Sequence, residues 1–291
     1  MQDITTDKAK QIIAKYTGNL ILSIVVGTIL TILLGSSSAV IILAIVFINA
    51  STLQFKQAIG IIMGANIGTT FSSQLIALDI GKYAVVPLIL GLIIEFFAKA
   101  ESTKKYGSAL FYFGMLFFGM FIMERSVVPL RDNLLFEAWI ARIDTNLIQG
   151  TLIGGLITLI VQSSSATVGM AIVLGKQNLI SLAGGLAIML GSELGTCSDT
   201  LIATIKGSRQ ALKAGFFHLL FNFMTIVAGL LVFDYFLNFI LMVSQSQTLD
   251  NQIANAHMIF NIAGVIVFLP FVGSMENLLE YWLPEKEVKG I

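Results

Sequence analysis

The sequence predicts an all-α polytopic membrane protein made of two inverted repeats, each with a re-entrant helical hairpin and a broken transmembrane helix. Three observations lead there. The chain of 291 residues is 56% apolar and 12% charged, with a mean hydropathy of +0.88, far outside the range of a soluble domain. Ser-Ser-Ser-Ala occurs twice, at Ser36 to Ala39 and Ser163 to Ala166, each time inside a long apolar run. Each copy is followed by a glycine-rich motif, GANIGTT from Gly64 and GSELGTC from Gly191, and the interval from Ser36 to Ser163 equals that from Gly64 to Gly191. Gly27, Thr31, Ala44 to Val46, Ile61, Gly68 and Thr69 recur in the same register as Gly154, Thr158, Ala171 to Val173, Ile188, Gly195 and Thr196. The chain therefore contains an internal duplication, and two polar clusters at membrane depth point to a transporter with one central site.

The elements follow in order. Positions 1–18 are polar and amphipathic, and the apolar stretch after them is too long for the core of a cleaved signal, so the N-terminus reads as retained. Positions 19–50 form an apolar run centred on Gly35 and Ser36 to Ser38. A hydrocarbon core of about 30 Å needs roughly 20 helical residues, so neither half spans alone and a re-entrant hairpin fits better. Positions 146–175 repeat this design around Gln162 to Ser165. The segments 57–78 and 180–204 read as helices broken at the glycine-rich motifs, because paired glycines favour an unwound stretch. More ordinary spans are 83–97, beginning before Tyr83, then 107–128, 214–236 and 253–272. The stretches 3–15 and 124–144 alternate apolar residues with charges of both signs and read as interfacial amphipathic helices. The first repeat then occupies 1–127 and the second 128–291, ending in a short tail.

Basic residues set the orientation. If each hairpin returns to its side of entry, twelve of the seventeen Lys and Arg fall on the side of both termini, which places the termini in the cytoplasm of a multi-pass cell-membrane protein. One hairpin then enters from each side, so the repeats are inverted. Zero net charge and the lack of basic runs with interleaved aromatics exclude nucleic acid as a partner. A single cysteine, Cys197, excludes an intrachain disulfide, and neither His218 nor His257 sits in a zinc-type motif.

Hydroxyls and an amide at a hairpin tip can donate to an oxyanion or offer oxygens to a sodium ion, while half-helix N-termini add partial positive charge. Small hydroxyl residues also simply let helices pack closely. Two clusters in matched register, each paired with a glycine-rich motif, favour the site. Among other ionisable groups in apolar surroundings, Glu95 and Asp199 are functional candidates because charge at membrane depth is expensive. His218 and His257, each one turn before an asparagine (Asn222, Asn261), read as neutral imidazoles bonded across helix interfaces. Asp234 approaches an interface.

GSSSAV and QSSSAT, with GANIGTT and GSELGT downstream, resemble the twice-repeated signature of the type II sodium-dependent phosphate cotransporters, most closely their bacterial members. The likeness continues through HLLFN at His218 to Asn222 and IANAHMIFN at Ile253 to Asn261, and so covers nearly the whole chain. It implies a transporter rather than an enzyme, with sodium-coupled symport of inorganic phosphate into the cytoplasm, the lipid bilayer as its setting, sodium as coupling ion, no organic cofactor and room for a homodimer. Phosphate would meet Ser36, Ser37 and Ser38, Gln162, Ser163, Ser164 and Ser165, with Asn66, Gly68, Thr69, Gly195 and Thr196 from the breaks. Sodium would take oxygens from Gln162, Ser38, Ser165, Asn66, Thr69, Thr70, Glu193, Thr196, Ser198 and Asp199. Two departures stand out: Gly35 occupies the place of Gln162 in the first copy, and Glu193 the place of Asn66 in the second. Bacterial members often begin with an extra apolar helix and many end in a soluble helical domain; the sequence shows neither. The alternatives are sodium- or proton-coupled transport of another small anion and, more remotely, a channel or an intramembrane serine hydrolase. The hydrolase lacks an elbow motif and an evident base for its serine.

Overall fold

The computed structural model describes residues 17–78 and 80–284. All regular structure among them is helical: α1 (Leu20–Leu34), α2 (Ser37–Asn49), α3 (Phe55–Ala77), α4 (Val85–Phe97), α5 (Glu101–Val127), α6 (Leu134–Thr145), α7 (Leu147–Val161), α8 (Ser164–Lys176), α9 (Leu182–Gly195), α10 (Cys197–Thr204), α11 (Arg209–Leu231), α12 (Phe233–Val243), α13 (Leu249–Phe268) and α14 (Val272–Trp282). Four of these helical stretches, containing α3, α5, α11 and α13, are long and apolar enough to cross a membrane. The protein is a multi-pass membrane protein.

Both serine runs form helical hairpins, α1–α2 and α7–α8. Asn19 caps α1 and Asn146 caps α7, each side chain accepting a backbone N–H three positions on. The turns sit at Gly35 (φ 67°) and Gln162 (φ 56°), whose N–H groups close onto the Thr31 and Thr158 carbonyls. Ser36 and Ser163 then cap α2 and α8 by accepting from the N–H of Ala39 and Ala166 at 3.2 Å. Left-handed backbone costs an ordinary side chain but not glycine, so Gly35 is the relaxed residue at this turn and Gln162 the strained one. Arms of 15 and 13 residues reach about 20 Å, short of a bilayer core.

The first glycine-rich motif does not break its helix as the sequence suggested, and the second breaks it at a single residue. GANIGTT lies inside the continuous 23-residue α3, and GSELGTC is interrupted only at Thr196, between α9 and α10. The reason is packing. Gly60, Gly64 and Gly68 recur at every fourth position and form one stripe, against which α1 crosses so closely that a Cβ on Gly64 would stand 2.0 Å from the Ile24 carbonyl oxygen. The second copy reproduces the contact: a Cβ on Gly191 would lie 1.8 Å from the Thr151 oxygen. Glycine here serves close approach rather than a change of direction.

Other boundaries differ as well. The short span starts at Val85 after a 3₁₀ turn (Gly81–Tyr83) and does not extend upstream; 107–128 begins instead at Glu101. The spans expected at 214–236 and 253–272 lie at 209–231 and 249–268, followed by the separate helices α12 and α14. The amphipathic stretch 124–144 becomes the end of α5, a turn and α6, which meets α7 at 115°. The stretch 3–15 lies outside the described residues.

Positions in matching register make matching contacts inside each copy, and the copies cross. Helix α2 packs on α10, and α8 on α3, where Gly169 faces Ile76. Helix α11 sits against α2, α3 and α9–α10, while α13 sits against α8, α3 and α9. One internal difference is sharp. Thr158 on α7 donates to Thr167 on α8 at 2.7 Å. In the first copy Val40 stands in the register position of Thr167, and Thr31, the counterpart of Thr158, is buried without a hydrogen-bond partner. Val40→Thr should supply that partner and raise the unfolding midpoint in detergent, by about 1 kcal/mol of stability; Thr167→Val should lower it by about 1–3 kcal/mol because Thr158 is then orphaned.

Candidate functional site

Each serine-tipped helix packs against the other copy, α2 on α10 and α8 on α3. Ser37 and Ser164 are 6% and 5% exposed, each in the first turn of a 13-residue helix whose N-terminal N–H groups carry partial positive charge. Ser38 of the first tip lies close to the Asp199 carboxylate of the second copy. Ser165 is half-buried, whereas Gln162, expected to face the site, is exposed at its turn. Tip hydroxyls and helix N-termini together present donors, which suits an anion.

The hydroxyls along α3, α9 and α10 are organised differently. Thr69 donates to the Ala65 carbonyl (3.0 Å), Thr70 to Ile67 (2.7 Å), Thr196 to Ser192 (2.9 Å) and Ser198 to Gly195 (2.8 Å). A hydroxyl that spends its proton on its own helix has only lone pairs to offer, so these four oxygens suit a cation rather than an oxyanion. Gly68 and Gly195 act through contact: a Cβ there would lie 2.5 and 2.6 Å from the Thr31 and Thr158 Cβ atoms.

Behind the tips lies a buried polar cluster whose partners the sequence reading missed. Asn66 donates to the Asn222 carbonyl oxygen, and Asn222 donates to the Glu193 backbone carbonyl at 2.8 Å. The Glu193 carboxylate, in a residue 5% exposed, accepts from His257 Nε2 at 2.8 Å and from Asn261 at 2.9 Å. Both imidazoles are fully buried and span helix interfaces. Thr200 donates to the Cys197 carbonyl (3.0 Å) and so accepts from His218 Nδ1 (2.8 Å), leaving Nε2 to accept from the Asn222 amide (3.1 Å). In His257 the roles are reversed: Nε2 donates to Glu193 and Nδ1 accepts from Ser73 (2.7 Å). The two rings thus hold opposite tautomers. A usable signal was present in the sequence, since Ser73 and Thr200 are both hydroxyls in the repeat register and His-x₃-Asn occurs twice.

Glu95 is exposed on α4 and Asp234 is exposed at the start of α12, so neither joins the cluster. His257→Ala should leave the Glu193 carboxylate buried with Asn261 alone and cost about 3–5 kcal/mol, read as a lowered melting temperature in detergent. Glu95→Gln should change stability by no more than about 0.5 kcal/mol.

The Na+/Pi-cotransporter family model matches residues 1–125 and 133–270. A Bacillus subtilis (strain 168) protein named "Uncharacterized protein YqeW" is 26% identical over 279 residues, 96% of this chain and 90% of its own. The Escherichia coli (strain K12) protein named "Putative inorganic phosphate export protein YjbB" is 22% identical over 247 residues, 84% of this chain and 45% of its own. Its Salmonella typhimurium namesake is 21% identical over 259 residues, 89% of this chain and 40% of its own, so the chain spans less than half the length of the YjbB proteins. No solved structure matches. The match to the family model covers nearly the whole chain, which therefore belongs to the Na+/Pi-cotransporter family, a family of transporters and not of enzymes.

Proposed function

We propose that the protein carries inorganic phosphate across a membrane by alternating access, coupled to sodium, with phosphate held between the N-termini of α2 and α8. The observation that carries this reading is the pair of serine-capped helix N-termini in one repeat register, each on a helix packed against the other copy. A phosphate there would take hydrogen bonds from Ser37, Ser164 and the first-turn N–H groups, the arrangement by which helix termini bind anions. Ser36 and Ser163 fix the two helix starts. Sodium would take lone pairs from Thr69, Thr70, Thr196 and Ser198, with Ser38, Ser165 and the Asp199 carboxylate nearby. Asn66, Gln162 and Glu193 are further ligand candidates from the sequence; the engagement of Asn66 and Glu193 in the buried cluster, and the exposure of Gln162, make them the weaker members of the set.

In this reading residues 1–127 and 128–291 are inverted repeats, the hairpins are re-entrant, and both termini lie in the cytoplasm. Sodium-driven movement would then be inward. The name of the E. coli relative speaks of export, and that is the second reading of direction. Phosphate flux in proteoliposomes, measured with sodium gradients of either sign, tests both. Uptake that follows the sodium gradient supports symport; efflux indifferent to sodium supports the export reading; no phosphate flux in either direction defeats the proposal.

Ser37→Ala and Ser164→Ala each remove one donor to a charged ligand, an interaction worth about 1.5–3 kcal/mol, so phosphate affinity should fall roughly ten-fold or more. Unchanged affinity in both variants would remove the tips from the phosphate site.

A further inference from the structure

We propose that His218, Asn222, His257 and Asn261 are positioning residues that form two symmetry-related clamps, each gripping both copies, and that the cluster's one carboxylate works from either position 66 or position 193.

The partners establish the symmetry. The α11 clamp takes Thr200 from the second copy on His218 and Asn66 from the first on Asn222. The α13 clamp takes Ser73 from the first copy on His257 and Glu193 from the second on both His257 and Asn261. In the repeat register Thr200 is the counterpart of Ser73, and Glu193 is the counterpart of Asn66. Each clamp therefore uses a hydroxyl from one copy and an amide or carboxylate from the other, with the copies interchanged. The surroundings obey the same exchange, since α11 lies against hairpin arm α2 and α13 against hairpin arm α8. Helix α13 is thus the spatial counterpart of α11, although both lie in the second half of the chain. Each clamp stands behind one serine-tipped helix, which makes it the element that sets how that tip meets the opposite copy.

Chemistry then distinguishes the two. In the α13 clamp a carboxylate accepts from His257 Nε2–H; in the α11 clamp an amide is present and His218 Nε2 is itself an acceptor. A carboxylate at 66 would need a donor from Asn222, the partner of Asn66; turning that amide puts its oxygen on His218 Nε2, so His218 would take the Nε2–H tautomer by a proton shift that needs no rotation of the ring, with the Thr200 hydroxyl then donating to Nδ1. A cluster with no carboxylate leaves His257 Nε2–H with a weaker acceptor on a shorter side chain. A cluster with two would bury a second charge.

The test is an exchange. Glu193→Asn, Asn66→Glu and the double variant are compared with the wild type by thermal unfolding in detergent and by phosphate flux in proteoliposomes. Each single variant should lose ten-fold or more in flux and melt lower, whereas the double variant should melt near the wild type and recover flux to within about three-fold. If a single variant fails to accumulate, accumulation of folded double variant is itself the rescue. A double variant that melts no better than the worse single, or that does not fold, overturns the interchange. Recovered melting without recovered flux overturns the positioning role. The flux arm rests on the phosphate reading: a wild type without flux counts against that reading, and the melting arm still decides the interchange.

Discussion

A buried carboxylate in an apolar interior is tolerable only if its hydrogen-bonding demand is met, and Glu193 imposes that constraint on everything around it. His257 and Asn261 meet it from α13. His257 must then present Nε2–H to the acid, so its other nitrogen needs a donor, which Ser73 provides from the first copy. The Glu193 backbone takes the Asn222 amide from α11, and Asn222 in turn holds Asn66. One charge thereby ties together α3, α9, α11 and α13. An interhelical polar contact in a membrane is worth only about 1–2 kcal/mol, so the cluster acts mainly by excluding other registers of the four helices.

The second constraint is steric. Helices α1 and α7 can approach α3 and α9 to backbone contact only because glycine occupies the crossing points. This brings each hairpin flush against its own copy and leaves its serine tip free to lean on the other. Serines cap the starts of α2 and α8, and the hydroxyls along α3, α9 and α10 spend their protons on their own helices.

Much of this is legible in the sequence. The repeat register, the hairpins and the burial of the tip serines follow from apolar runs interrupted by matched polar clusters. The glycine-rich motifs mislead because glycine has two uses, sharp turns and close contact, and a recurrence at every fourth position along one helix face distinguishes the second: Gly60, Gly64 and Gly68 carry that spacing. Gln162 stands out by its motif, yet its place at a left-handed turn exposes it. Ser73 and His257 are bonded across 184 positions and Glu193 and Asn261 across 68, both beyond the reach of any local pattern. Helices α12 and α14 are hidden in the sequence because each follows directly on a longer apolar helix and looks like its continuation.

If the two copies cross so that one anion sits between two serine-capped helix ends, a cryo-EM structure of the protein in lipid nanodiscs with phosphate and sodium is the most direct test. It should show density for a tetrahedral anion in contact with both Ser37 and Ser164, backed by the His218–Asn222 and His257–Asn261 pairs. Density at one tip alone, or at a surface remote from both, would contradict the crossing of the copies as the basis of the site.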